Sequence, residues 1–202
     1  MIKDRGVILR RVPYSDSAII LSCFTHDRGL ISLFTRVQKK STTGHLQIGS
    51  FILFTAKSKP DSDLFTLIEG QWDSNIPSQP IPSASLGVWS FTIEILYKSL
   101  ATSFPIPQLL HQVSGYYAHL CLGDISTHPY VPLCLILHAI GISDLRNRID
   151  DQAVYDSLTE FNLISSDEDS ESFSPDRAFK KELVRFQQHF NVDQIESLYL
   201  VD

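Results

Sequence analysis

Seven cations stand out in the first sixty residues: Arg10, Arg11, Arg36, Lys39, Lys40, Lys57 and Lys59. Tyr14 and Phe34 lie among them. Cations neutralise phosphates, and aromatic faces accept stacked bases, so together these residue types suit a nucleic-acid strand. The plainer alternative is solvating charge around core aromatics. Outward-facing rings are expected among Phe34, Phe51 and Phe54, while most of the other Phe residues must fill a core.

Catalytic chemistry finds less support. Gly-x-Ser-x-Gly, the phosphate-loop pattern Gly-x-x-x-x-Gly-Lys and His-Glu-x-x-His are all absent. No catalytic residue and no cofactor is expected. His111, His119, Cys121, His128, Cys134 and His138 cluster along the chain, and Cys134 and His138 are spaced to share a helix face. No Cys-x-x-Cys accompanies them, and Cys134 sits in the most apolar stretch. They are taken as core and half-exposed side chains, with no metal. Three cysteines without regular spacing argue for buried free thiols rather than a disulfide framework.

The elements that position the cations can be read from the period. Short β-rich runs are expected at about Gly6–Val12, Ala18–Thr25 and Leu30–Arg36. Turns at Pro13–Asp16 and His26–Gly29 separate them. Val37 to Leu46 is polar and basic, and predicts a loop with at most one helical turn. Further strands are expected at Ile48–Ala56 and Leu64–Gly70. Five strands with a long excursion after the third fit an OB-fold barrel, with an SH3-like barrel as the competing topology. In an OB barrel Lys39 and Lys40 leave the third strand, and Lys57 and Lys59 sit between the fourth and fifth. Three prolines in residues 73–84 then stop both strand and helix. Beyond them the period becomes 3.6. Helices are expected from Ser83 or Ser85 to near Phe104, over about Pro107–Leu122 and Tyr130–Ile140, and from Pro175 onward. A short helix or paired turn around Tyr155–Leu163 and a last turn of helix at Ile195–Leu200 complete the set, with the acidic run Ser165–Ser172 as a solvated loop. The expected fold class is α+β multidomain: an OB-fold β-barrel over residues 1–72, a Pro-rich connector over 73–84, and an all-α helical domain over 85–202.

The net charge of −6 conceals an asymmetry. Residues 1–70 hold ten Lys and Arg against six Asp and Glu, a balance of +4; residues 71–202 hold seven against seventeen, a balance of −10. A polyanion would be met by the local face, not by the sum. No apolar run reaches the ~18 residues of a membrane span, and no secretory signal is visible at the start, so a cytoplasmic, nucleoid-associated protein is expected.

The order Gly6-Val-Ile-Leu-Arg-Arg-x-Pro-Tyr14-Ser-Asp-Ser, then Ile-Ile-Leu-x-x-Phe-Thr25, then Gly29-Leu-Ile-Ser-Leu and basic residues, resembles the N-terminal domain of the bacterial RecO recombination and repair family. The likeness is densest over residues 5–70 and continues into Ile93–Leu100. The closing Ile195-Glu-Ser-Leu-Tyr-Leu resembles the zinc-free branch found in Bacteroidetes-like bacteria. The resemblance implies an OB-fold, a helical domain and a non-enzymatic mediator. Such a mediator binds single- and double-stranded DNA and anneals complementary strands. It acts with RecR, and in some bacteria RecF, to load RecA on strands coated by SSB, whose acidic C-terminal tail it binds. Arg10, Arg36, Lys39 and Lys40 match the family's basic positions; Arg11, Lys57 and Lys59 are added from charge and position. Lys98, Arg146 and Arg148 are the cations available for a tail pocket. The family's frequent four-cysteine zinc site is missing, and the back domain is unusually acidic. The competing reading is an OB-fold protein-interaction adaptor without direct DNA binding.

Overall fold

The computed structural model describes residues 1–36, 43–58, 64–100, 104–123, 128–141 and 175–190. The chain divides into two compact units: Met1–Ser78 with Leu100–Leu110, and Gln79–Ser99 with His111–Asp202.

The first unit is a closed barrel of β1 (Ile2–Ser15), β2 (Ala18–Thr25), β3 (Gly29–Arg36), β4 (Phe51–Lys57) and β5 (Leu64–Trp72), with a single 3-10 turn at Thr43–Leu46. The order around the barrel is β1-β2-β3-β5-β4, closing on β1. A simple meander would set β4 beside β3. Here β5 takes that place, parallel to β3 through Ser32–Leu64, Leu33–Phe65 and Phe34–Thr66. That pairing makes the barrel an OB-fold and removes the SH3-like alternative.

Alternation fills the interior. Ile8, Ile19, Leu21, Cys23, Ile31, Leu33, Ile52, Phe54 and Ala56 form one buried cluster, with Leu46 against it. Val7, Phe24 and Phe51 are cross-strand neighbours on the opposite phase, yet they too are buried.

Several boundaries differ from the sequence expectation for identifiable reasons. β1 runs on to Ser15, through Pro13. That end of β1 pairs with β2 alone, so a residue lacking an N–H costs no ladder bond on the open edge. The turn shrinks to Asp16 and Ser17, a two-residue hairpin loop. β4 starts at Phe51, not Ile48. Gly49 has φ +82° and donates its N–H to the Ile8 carbonyl, and Ile48 is exposed. This turn feeds the strand without belonging to it. Phe54 points into the barrel and Phe51, though on the outer phase, is buried, so neither offers a ring to the surface; of the three only Phe34 is partly open.

Gly29, with φ +67°, opens β3. A Cβ there would meet the Phe104 carbonyl oxygen at 2.5 Å, so only glycine allows the 104–110 segment to lie against the β2–β3 turn.

The second unit holds α1 (Ser83–Ser99), α2 (Pro107–Leu122, shared at its start with the first unit), α3 (Tyr130–Ala139) and α4 (Pro175–Phe190). α1 ends at Ser99, short of the expected Phe104; the Ser99 hydroxyl donates to the Leu96 carbonyl, and the chain then leaves for the first unit. Gly123, at φ +73°, ends α2. α3 is buried from Tyr130 through Leu137, on all sides, and serves as a core helix. α4 is amphipathic and packs on α3 through Phe186. The segments 155–163, 165–172 and 195–200 lie outside the described residues.

Candidate nucleic-acid interface

One extra residue in β1 decides which cations face out. Counting by alternation from the interior Ile8 would send Arg10 inward and Arg11 outward. The pairing shifts between Ile8–Cys23 and Arg10–Ser22, leaving Leu9 as a β-bulge. Beyond the bulge the phase is reversed. Arg10 shares its row with Ser22 and Ser32 on the outer face. Arg11 takes the phase of Leu21, and its guanidinium donates to Gln47 Oε1 at 3.3 Å.

The next outer row is Val12, Ile20, Phe34, Thr66 and Lys57, read across β1, β2, β3, β5 and β4. Arg36 follows Phe34 by two residues and so shares its face. A second bulge between Pro13 and Ser15 releases Tyr14 from the ladder. Its ring stands edge-on to Phe34, centroids 5.6 Å apart at 89°, and remains 65% exposed. Val12 is also exposed, and Ile20 and Phe34 are half-buried.

The result is an apolar ledge of Val12, Tyr14, Ile20 and Phe34 on the β1–β2–β3 surface, with Arg10, Arg36 and Lys57 around it. Arg10 and Arg36 stand two strands and four residues apart, roughly 16 Å by strand geometry. OB-folds take oligonucleotides on the strand 2–3 face and the flanking loops. Stacking rings bordered by cations suit a single strand chemically: bases meet the ledge and phosphates meet the rim.

The remaining site residues distribute differently. Lys39, Lys40 and Lys59 lie outside the described residues, as do Arg146 and Arg148. Lys98 is on α1, paired at 2.6 Å with Glu94, one turn away. Cys134 is fully buried on α3, where burial pushes its thiol well up, while His138 four residues on is exposed. Cys23 is likewise inside the barrel, raised by burial and secondarily by the Asp4 charge.

A cleft of about 510 Å³ lies on the other side of the barrel, lined by residues of β1, β4 and β5 with His26 and Asp27 at its edge. Asp4, His26 and Asp27 bring ligand-type atoms within 4.8 Å of one another, the one such grouping among the described residues. Their contacts explain the arrangement without an ion. The Asp4 carboxylate accepts the N–H of Arg5 and of Asp27, the latter fastening the β2–β3 turn to β1, while His26 Nδ1 meets Asp27 Oδ1 at 2.6 Å within the turn.

Among the described residues no helix is long and apolar enough to cross a membrane. No curated protein matches the chain. Residues 1–75 match the family model described as the N-terminal domain of recombination protein O, a span that covers the whole barrel. Over residues 1–75, the barrel that carries the cationic ledge, the chain is therefore similar to the N-terminal domain of recombination protein O.

Proposed function

We propose that the chain is a non-enzymatic recombination mediator whose barrel holds single-stranded DNA on the β1–β2–β3 ledge. The observation that carries this is the convergence of Arg10, Arg36 and Lys57 around the exposed Tyr14–Phe34 pair. Phosphates bind the rim by charge, and a base stacks on Tyr14, which keeps most of its ring open. Lys39, Lys40 and Lys59 are close to these strands in sequence, and the reading counts their charges among the candidates for phosphate contact.

In this reading annealing needs no bond chemistry. Two complementary strands are held at raised local concentration, with their negative charge partly neutralised. Pairing then withdraws bases from the aromatic ledge into the duplex, so the product loses the stacking contacts that the single strand had. Duplex DNA keeps the phosphate contacts alone. Loading of RecA onto SSB-coated strands, with RecR and in some settings RecF, is the family role that this activity would serve. Lys98 enters a tail contact only by giving up Glu94; Arg146 and Arg148 are the other candidate cations for the SSB tail.

The test is direct. A labelled single-stranded oligonucleotide is titrated with the intact chain over a salt series. Binding that weakens steeply with salt, and less steeply in Arg36→Ala with Lys57→Ala, supports the reading. Absence of binding at low salt would remove it in favour of the protein-interaction adaptor.

A further inference from the structure

Beyond residue 70 the chain has only seven Lys and Arg, and four of them fall in one helix: Arg177, Lys180, Lys181 and Arg185, all in α4. The section that holds them carries a balance of −10. Cations that served only to solvate an acidic domain would be spread among its carboxylates. These are gathered.

The helix shows where Lys180, Lys181 and Arg185 lie. Its packed side carries Phe186, fully buried, and Glu182, nearly so. The other side exposes Lys180, Lys181, Val184, Arg185, Gln188 and His189. Lys181, Arg185 and Gln188 recur at four and three residues, which makes one stripe along the axis. Arg185 is steadied by Glu182, its Nη1 at 2.7 Å from Oε1, and the bond leaves most of its N–H donors available. Neither Lys180 nor Lys181 is in an ion pair among the described residues.

We propose that this face of α4 is a second phosphate-binding surface, taking the sugar–phosphate backbone of a nucleic-acid strand. The inference rests on the reading of the barrel as a DNA-binding domain and adds a contact that the acidic total conceals. A convex helix face suits a phosphate backbone, which asks for charge along a line. It suits a peptide poorly. Acidic peptides are held by a pocket for an anchoring side chain or by a free strand edge, and among the described side chains of α4 the one large apolar group exposed is Val184. From Lys180 to Gln188 the rise is about 12 Å, enough to meet several phosphates. An annealing protein has use for two such surfaces, because two strands must be held at once.

The test compares full-length wild type with Lys180→Ala/Lys181→Ala and, separately, with the barrel variant Arg36→Ala/Lys57→Ala. A labelled oligothymidylate is titrated over a sodium chloride series, and annealing of complementary oligonucleotides is timed in parallel. The α4 variant is expected to lower the slope of log affinity against log salt by about 1.4, the share of two phosphate contacts on a single strand. It should also slow annealing, and Lys180→Arg/Lys181→Arg should restore both. All the α4 substitutions are at exposed positions, and an unchanged melting temperature confirms the fold. A slope and an annealing rate equal to wild type in the α4 variant, with the barrel variant still impaired, would overturn the α4 surface and leave the barrel reading standing. If neither variant alters the slope, both fall. An oligoglutamate peptide that binds wild type, and loses binding in the α4 variant while DNA binding is unchanged, would assign the face to acidic protein and also overturn the proposal.

Discussion

Truncating Tyr14 to alanine separates stacking from charge. The ring is 65% exposed and touches Phe34 edge-on at 5.6 Å, so its loss leaves the barrel interior untouched. An edge-to-face pair is worth about 0.5–1.5 kcal/mol when buried; for a ring this open the stability cost should sit at or below about 0.5 kcal/mol. A base stacked on an aromatic side chain contributes about 1–3 kcal/mol. Single-stranded affinity should therefore drop roughly 5- to 150-fold at 25 °C. The salt dependence should not change, because no cation has been removed. Two parallel lines of log affinity against log salt, displaced vertically, are the expected signature in fluorescence anisotropy. Duplex affinity should barely move, since a paired base offers no free face to the ledge. Single-strand affinity within twofold of wild type, or a changed salt slope, would refute the stacking role of Tyr14.

The remaining predictions concern the fold and its ionisable groups. Gly29→Ala should destabilise the chain by about 2–4 kcal/mol in urea unfolding, adding left-handed backbone strain to a clash with the Phe104 backbone; a loss below about 1 kcal/mol would mean that residue 104 does not lie against the turn. Cys23 and Cys134 should resist a thiol reagent in the folded protein and react only on unfolding, since both thiols are fully buried. Burial raises their folded pKa, so both stay protonated where unfolded thiols ionise. Unfolding free energy should thus be insensitive to these groups below about pH 8 and fall above about pH 8.5, by up to about 1.4 kcal/mol per pH unit for each thiol; a flat profile through pH 10 would contradict it. Leu9 deletion should move Arg10 into the inward phase and weaken single-strand binding more than Arg10→Ala does, measured beside a melting curve that confirms the barrel.

Local chemistry made some elements legible in the sequence. Ala18–Thr25 and Pro107–Leu122 coincide with β2 and α2 because turn residues, or a proline and a glycine, bracket each of them. The non-local features were not legible. The parallel pairing of β3 with β5 joins residues some thirty apart and leaves no trace in the period. The return of Leu100–Leu110 to the barrel unit follows no change of composition. The bulge at Leu9 inverts the facing of the residues from Arg10 to the second bulge after Pro13, so charge and position nominate both Arg10 and Arg11 where only Arg10 joins the ledge. Phe51 illustrates the converse: its outward phase is right, but burial removes it from the surface. The cations of α4 are visible as letters, but the balance of −10 over residues 71–202 hides that four of seven cations share one helix.

The claim that most needs testing is that the barrel grips DNA through Arg10, Arg36 and Lys57. The most direct measurement is the affinity of the intact chain for a labelled single strand across a salt series, beside the triple alanine variant at these positions. Three phosphate contacts predict a slope shallower by about 2 in the variant, with an unchanged melting temperature. A wild-type affinity indifferent to salt, or a variant slope equal to wild type, would contradict the account.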